Sequence, residues 1–274
     1  MKYPAKIYLK LLTKFDIATS LFRSFEISAI SNYLSDHNLN EPILDIGCAE
    51  GNIGKLFFSN KNSIGIDFDL AFLRQAYSKH IYKHLILADA RSMPFKDGFF
   101  LSLFSNSVIE HIKDLKLVLN EANRVIDKNG QFLFTVPNNN FTNYLFFSNF
   151  LNLFGLKSLA NKYVLERNSR LNHFHLYSKE EWTKILEENN FEIITMKEYG
   201  PKAMLLFWDL IASFQFILRF LFGFLLRVLI IRYLIRAISF MLKIIFGIIL
   251  LPFFVVFNKS SSGCATLIMA RKIK

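Results

Sequence analysis

The stretch ILDIGCAEGNIGKLF, residues 43–57, sets an acid, Asp45, near the end of an apolar run. Gly47, Gly51 and Gly54 fall in the turn that follows. Glycine lets the backbone take positive φ and come close to a ligand, and a helix opening after the turn offers backbone N–H groups. Two more acids end two more short apolar runs, Asp67 in SIGIDF and Asp89 in HLILAD. Asp67 lies 20 residues beyond Gly47, a spacing that suits a carboxylate accepting hydrogen bonds from ribose hydroxyls. Asp89 is a candidate partner for an adenine edge. The glycine spacing is not G-x-G-x-x-G, so a pyrophosphate cradle is not indicated. Candidate general bases are His111, which follows Glu110 in VIEHI, and His173 and His175 in NHFHLYS. The H-x-H pair has no third ligand placed beside it, so no metal is expected.

These residues need a scaffold that brings strand tips together. From residue 42 onward short apolar runs alternate with helical patterns: PILDIG, then NIGKLFFS; SIGIDF, then LAFLRQAYSKH; HLILAD; FFLSLFS, then LKLVLNEANRVI stopped by DKNG; and QFLFTVP. Such alternation predicts a doubly wound α/β fold with a mostly parallel sheet. Strands apolar throughout are those covered on both faces. Ligands in such sheets bind past the carboxyl ends of the strands. Residues 178–190 open with a capping box, Ser178 and Glu181. FEIITMKEY reads as a sixth strand and GCATLIMARKIK as a seventh.

The chain has 274 residues, a formal net charge of +11 and 52% hydrophobic residues, including 31 phenylalanines. Basic charge points to nucleic acid, an anionic membrane or an acidic substrate. Two distant cysteines, Cys48 and Cys264, exclude a disulfide framework. Residues 1–40 read as one or two amphipathic helices, basic through Lys6, Lys10 and Lys14.

Residues 42–137 resemble the class I S-adenosylmethionine-dependent methyltransferases, in their small-molecule branch. ILDIGCAEG, IGIDFD, LADARSMPFKDG, SNSVIEHIKD and EANRVIDKNGQFLFTVPN are similar to that family's successive motifs. The resemblance implies a seven-stranded Rossmann-like sheet with S-adenosylmethionine as cofactor. It implies that Asp45, Gly47 and Gly51 shape the methionine side, that Asp67 holds the ribose, and that Cys48 and Phe68 also bind the cofactor. Asp89 and Ala90 would hold the adenine, and Ser105 and Asn106 would lie beside the methyl group. Ala49 stands where the family often has glycine, and Leu101 where it often has aspartate. Oxygen is the favoured acceptor atom over carbon or nitrogen. A non-catalytic cofactor-binding membrane module and a nucleic-acid methyltransferase are the alternatives. Against the latter, no N-P-P-[YFW] stretch is present and VPNNNF only approaches it, so no nucleic-acid partner is expected.

The expected organisation is helices over 1–40, a cofactor-binding core over 41–137, a lid or substrate region over 138–177, and the end of the sheet in 178–200 and 263–274. An apolar helical insert, 203–257, lies between the sixth and seventh strands. The insert carries Asp209, Arg219, Arg227, Arg232, Arg236 and Lys243, and its longest uncharged stretch, 244–257, is 14 residues. That is short for a spanning helix. Its charges fall into two stripes out of phase, which predicts two helices broken near 228–231, each with a narrow cationic stripe and a wide apolar face. The pattern suits a membrane-associating hairpin at a cytoplasmic face. The expected partners are the membrane, through 203–257, and a small-molecule or lipid-linked methyl acceptor.

Overall fold

The structure is a computed structural model. It describes residues 3–222, 245, 247–249, 252 and 262–273. The expected break near 228–231, and most of the insert, lie outside the described residues. Seven strands form one sheet: β1 (Ile43–Ile46), β2 (Ser63–Asp67), β3 (His84–Leu87), β4 (Phe100–Asn106), β5 (Ile126–Pro137), β6 (Phe191–Pro201) and β7 (Gly263–Lys272). Their order is β3-β2-β1-β4-β5-β7-β6. The pairs from β3 through β5 are parallel, and β7 runs antiparallel to β5. The sheet is therefore mixed, with its parallel half carrying the strand tips singled out above.

The chain separates into two compact units. One comprises residues 32–139, 167–198 and 265–274; the other comprises 1–31, 140–166 and 199–264. The first unit holds the parallel strands. All four residues of β1 and all five of β2 are buried, as strands covered on both faces must be. Helix α5 (Leu115–Val125) buries Leu115, Val118, Leu119, Ala122 and Val125, the i, i+3, i+4, i+7 pattern of one apolar face. Helix α4 (Leu70–Tyr77) is capped by Asp69, whose side chain accepts from the N–H groups of Ala71 and Phe72. The capping box of Ser178 and Glu181 opens α9 (Lys179–Glu188) as expected. Trp182 of that helix is fully buried, 5.4 Å from the Phe134 ring.

Three expectations need correction here. The glycine turn opens a helix of only four residues, α3 (Gly54–Phe57), too short to offer an organised set of N–H donors. β5 starts at Ile126 rather than after DKNG, because Phe100 of β4 pairs with Ile126 across a bulge before regular pairing resumes at Ser102 and Gln131. The N-terminal region forms α1 (Tyr3–Leu11) and α2 (Ile17–Asp36), but only α1 is amphipathic, with Lys6 and Lys10 exposed and Tyr8 and Leu11 buried. α2 is buried around most of its circumference. It hides Ser20, Ser24 and Ser28 together with Glu26, which Arg23 neutralises.

The second unit contains α6 (Asn140–Asn143), α7 (Phe146–Leu153), most of α8 (Lys157–Leu171) and α10 (Lys202–Phe222). Phe22, Phe141 and Trp208 meet in an aromatic cluster within it. Asp209 of α10 does not lie on an exposed stripe. It is fully buried, accepting from the Phe147 N–H at 3.3 Å and the Tyr163 hydroxyl at 2.7 Å. A carboxylate in so apolar a helix is tolerated only with such partners. No helix among the described residues is long and apolar enough to cross a membrane.

Candidate active site

The turn after β1 is built on positive φ. Gly47 sits at φ 73°, Gly51 at 72° and Ala49, between them, at 45°. A side chain on Gly47 would land 2.5 Å from the Val108 methyls, so glycine is required there by space as well as by conformation. Cys48, in the same turn, is buried, and burial pushes its thiol well above the ordinary range. It is a packing residue in that protonation state.

Asp67, at the tip of β2, closes the turn from the neighbouring strand. Its Oδ2 accepts from the Ala49 N–H at 2.9 Å and its Oδ1 from the Asp69 N–H at 2.9 Å. Each oxygen keeps a second lone pair, and the residue is 7% exposed, at the edge of solvent. The next residue, Phe68, is 83% exposed. A bare phenyl ring beside a fixed carboxylate offers a flat apolar face to a base and hydrogen-bond acceptors to a sugar, so these residues fit a purine nucleoside.

Asp45 is deeper. The Tyr82 hydroxyl donates to its Oδ2. Burial pushes the Asp45 carboxyl up to about 7; the Tyr82 hydrogen bond opposes that rise and Asp67 adds to it. Tyr82 also lies across the turn, because a side chain on Gly54 would meet its ring and hydroxyl. Sequence reading missed Tyr82. It sits between α4 and β3, and its partner is 37 positions away.

Asp89 follows β3, but its carboxylate is held by Arg91 at 2.7 Å, and Arg91 also reaches Asp114 at 3.0 Å. The Arg91 hydrogen bonds hold the Asp89 carboxyl below its ordinary range. Asp89 is thus an acid already paired at the rim, with buried Ala90 beside it. At the tip of β4, Asn106 accepts from the Thr135 hydroxyl at 3.1 Å. Ser105 is 1% exposed, and its Oγ has no hydrogen-bond partner among the described residues. An orphaned buried hydroxyl at a strand tip fits a ligand that would supply the missing partner.

The three histidines separate by environment. His175 is buried; its Nε2 lies 2.8 Å from the Ile112 carbonyl and 3.1 Å from that of Lys113, and its Nδ1 lies 3.0 Å from the Tyr177 hydroxyl. Carbonyls only accept, so Nε2 carries the proton and Nδ1 accepts from Tyr177. Both nitrogens are used structurally, which corrects its expected role as a base. His111 and His173 stack at 5.5 Å. Burial, with His111 nearby, pushes His173 down to about 3, so the ring is uncharged near neutrality. His111 is 39% exposed, and its Nδ1 lies 3.2 Å from the Asn172 carbonyl, which makes Nδ1 the donor. Nε2 lies 3.6 Å from a carboxylate oxygen of Glu110, with which it pairs when the ring is protonated. Glu110 is 1% exposed. The sequence reading named it only as the neighbour of His111 and gave it no role.

Residues 44–134 match the methyltransferase domain family. A malonyl-[acyl-carrier protein] O-methyltransferase of Legionella pneumophila is 37% identical over 99 residues, covering 34% of this chain and 35% of that protein. An uncharacterised protein of Methanocaldococcus jannaschii is 36% identical over 99 residues, 35% of this chain and 37% of that one. The chain thus spans about a third of the length of the curated relatives it matches. Among solved structures, a putative sarcosine dimethylglycine methyltransferase from Galdieria sulphuraria aligns over 95% of this chain and 89% of its own, with TM-score 0.55 and 10% identity. A Haemonchus contortus phosphoethanolamine N-methyltransferase, solved with S-adenosylhomocysteine, aligns over 90% and 52%, with TM-score 0.53 and 16% identity. At such identities these structures establish the shared Rossmann-like methyltransferase fold, and the domain match covers every strand tip described above.

Proposed function

We propose that the chain is an S-adenosylmethionine-dependent methyltransferase acting on a small-molecule or lipid-linked acceptor at a membrane surface. The observation that carries the reading is the Asp67 carboxylate, fixed by two backbone N–H groups beside exposed Phe68, inside a segment that matches the methyltransferase domain. When bound, S-adenosylmethionine supplies a methyl group already activated by its sulfonium. Asp67 would accept from the ribose hydroxyls, and Phe68 would cover the adenine. The turn at Gly47 and Gly51 leaves room for the methionine arm, and the Ser105 hydroxyl gains a partner. Alignment of the acceptor then supplies much of the rate.

An acceptor hydroxyl must lose a proton as it gains a methyl group. On this reading His111 would take it, and the neighbouring Glu110 carboxylate would stabilise the resulting imidazolium. This favours oxygen as the acceptor atom, as does the similarity to the Legionella malonyl-[acyl-carrier protein] O-methyltransferase. The membrane setting is supported by the composition of 203–257 and by the net charge of +11.

The test is incubation with methyl-labelled S-adenosylmethionine and total membrane extract. Label in an extracted lipid supports the reading; label confined to nucleic acid, or no transfer at all, overturns it. Vesicle flotation with and without 203–257 checks the membrane step separately.

A further inference from the structure

The second unit carries an apolar projection that the methyl-transfer site does not use. Residues 152–159, which span the end of α7, the turn and the start of α8, are exposed without interruption. Within them Leu153 is 79% exposed, Phe154 64%, Leu156 46% and Leu159 52%. Gly155 turns the chain at φ 74°, and among the described residues a side chain there would meet nothing within 4 Å. Behind it Phe146, Phe150 and Phe154 form a ladder at i, i+4 spacing, with ring centroids 6.2 and 5.0 Å apart. Both limbs of the projection are tied to α10 by one group, the buried Asp209 carboxylate, which accepts from Phe147 on α7 and Tyr163 on α8. A clamped hairpin with bare leucine and phenylalanine at its tip is costly in water.

Charge decides what covers it. Residues 138–165 contain no Asp or Glu, while Lys157 and Lys162 flank the tip and are exposed. A protruding apolar knob with basic flanks matches an anionic lipid surface, where side chains enter the acyl boundary and ammonium groups stay with the headgroups. We infer that the α7–α8 turn inserts into the interfacial region of an anionic bilayer. It is an attachment point separate from 203–257, and it stands whatever group accepts the methyl.

The experiment labels Leu153→Cys in the full chain with an environment-sensitive fluorophore; the native Cys48 and Cys264 are buried. Leu117→Cys on α5, 50% exposed in the other unit, is the control. Vesicles of phosphatidylcholine with phosphatidylglycerol should blue-shift the Leu153 probe and leave the Leu117 probe unchanged. Pure phosphatidylcholine should give a weaker shift. The double substitution Leu153→Ser with Phe154→Ser should lower the vesicle partition coefficient by about tenfold or more, as loss of two apolar anchors implies. Flotation with an unshifted Leu153 probe would assign binding to another segment and overturn the inference. So would a shift that needs no vesicles and grows with protein concentration, the mark of a second copy. Absence of any vesicle binding overturns it as well.

Discussion

The Asp67 carboxylate on β2 accepts the Ala49 N–H of the β1 turn at 2.9 Å, and Ala49 makes that bond from φ 45°. A left-handed alanine costs about 1–2 kcal/mol, and the hydrogen bond holds it there. One contact thus fixes the bend of the turn and the orientation of the acid.

Ala49→Gly removes the strain and keeps the N–H. Allowing for the greater entropy of glycine in the unfolded chain, stability should rise by about 0.5–1 kcal/mol. A thermal melt should show the midpoint up by about 1–4 °C. An unchanged or lower midpoint would mean that the turn is relaxed around alanine.

Asp45 makes stability depend on pH. Its folded carboxyl titrates at about 7, above the ordinary 3.8, so the native state binds the proton more tightly than the unfolded chain. Its contribution is fully present below about pH 4 and is lost as pH rises to about 7. Asp45→Asn cannot titrate and still accepts from Tyr82 through its amide oxygen. Melting midpoints followed from pH 4 to 7 should fall less steeply in Asp45→Asn than in the wild type; parallel profiles would remove Asp45 as the cause.

His111 and His175 should respond oppositely. His111→Asn should lower kcat by about a hundredfold or more with KM little changed, since it removes a proton acceptor. His175→Ala should leave kcat of the folded protein near wild type but lower stability by about 1–3 kcal/mol, through the unpaired Ile112 and Lys113 carbonyls. Steady-state kinetics beside denaturant titrations separate the two. Equal kcat losses would place both rings at the reacting atoms.

Much of this was legible in the chain, because parallel strands buried on both faces read as apolar runs and their tips carry the acids. Asp67 beside the glycine turn was found that way. What was hidden depends on tertiary pairing. Tyr82 lies in an aperiodic loop, and nothing near it announces Asp45. Asp209 reads as a member of a charge stripe until Phe147 and Tyr163 are seen to close on it. His111, His173 and His175 look alike in sequence; only burial and neighbouring carbonyls distinguish a clip, a neutral ring and a candidate base. Arg91 stands two residues from Asp89, close enough to have been read as its partner.

The most direct measurement is calorimetric titration of the full chain with S-adenosylhomocysteine, comparing wild type with Asp67→Ala and with Asp36→Ala as a distant control. Wild type and Asp36→Ala should bind alike, and Asp67→Ala should lose about tenfold or more, the worth of hydrogen bonds to a charged group. Equal affinity in all three chains, or no heat from the wild type, would contradict a nucleoside site at these strand tips.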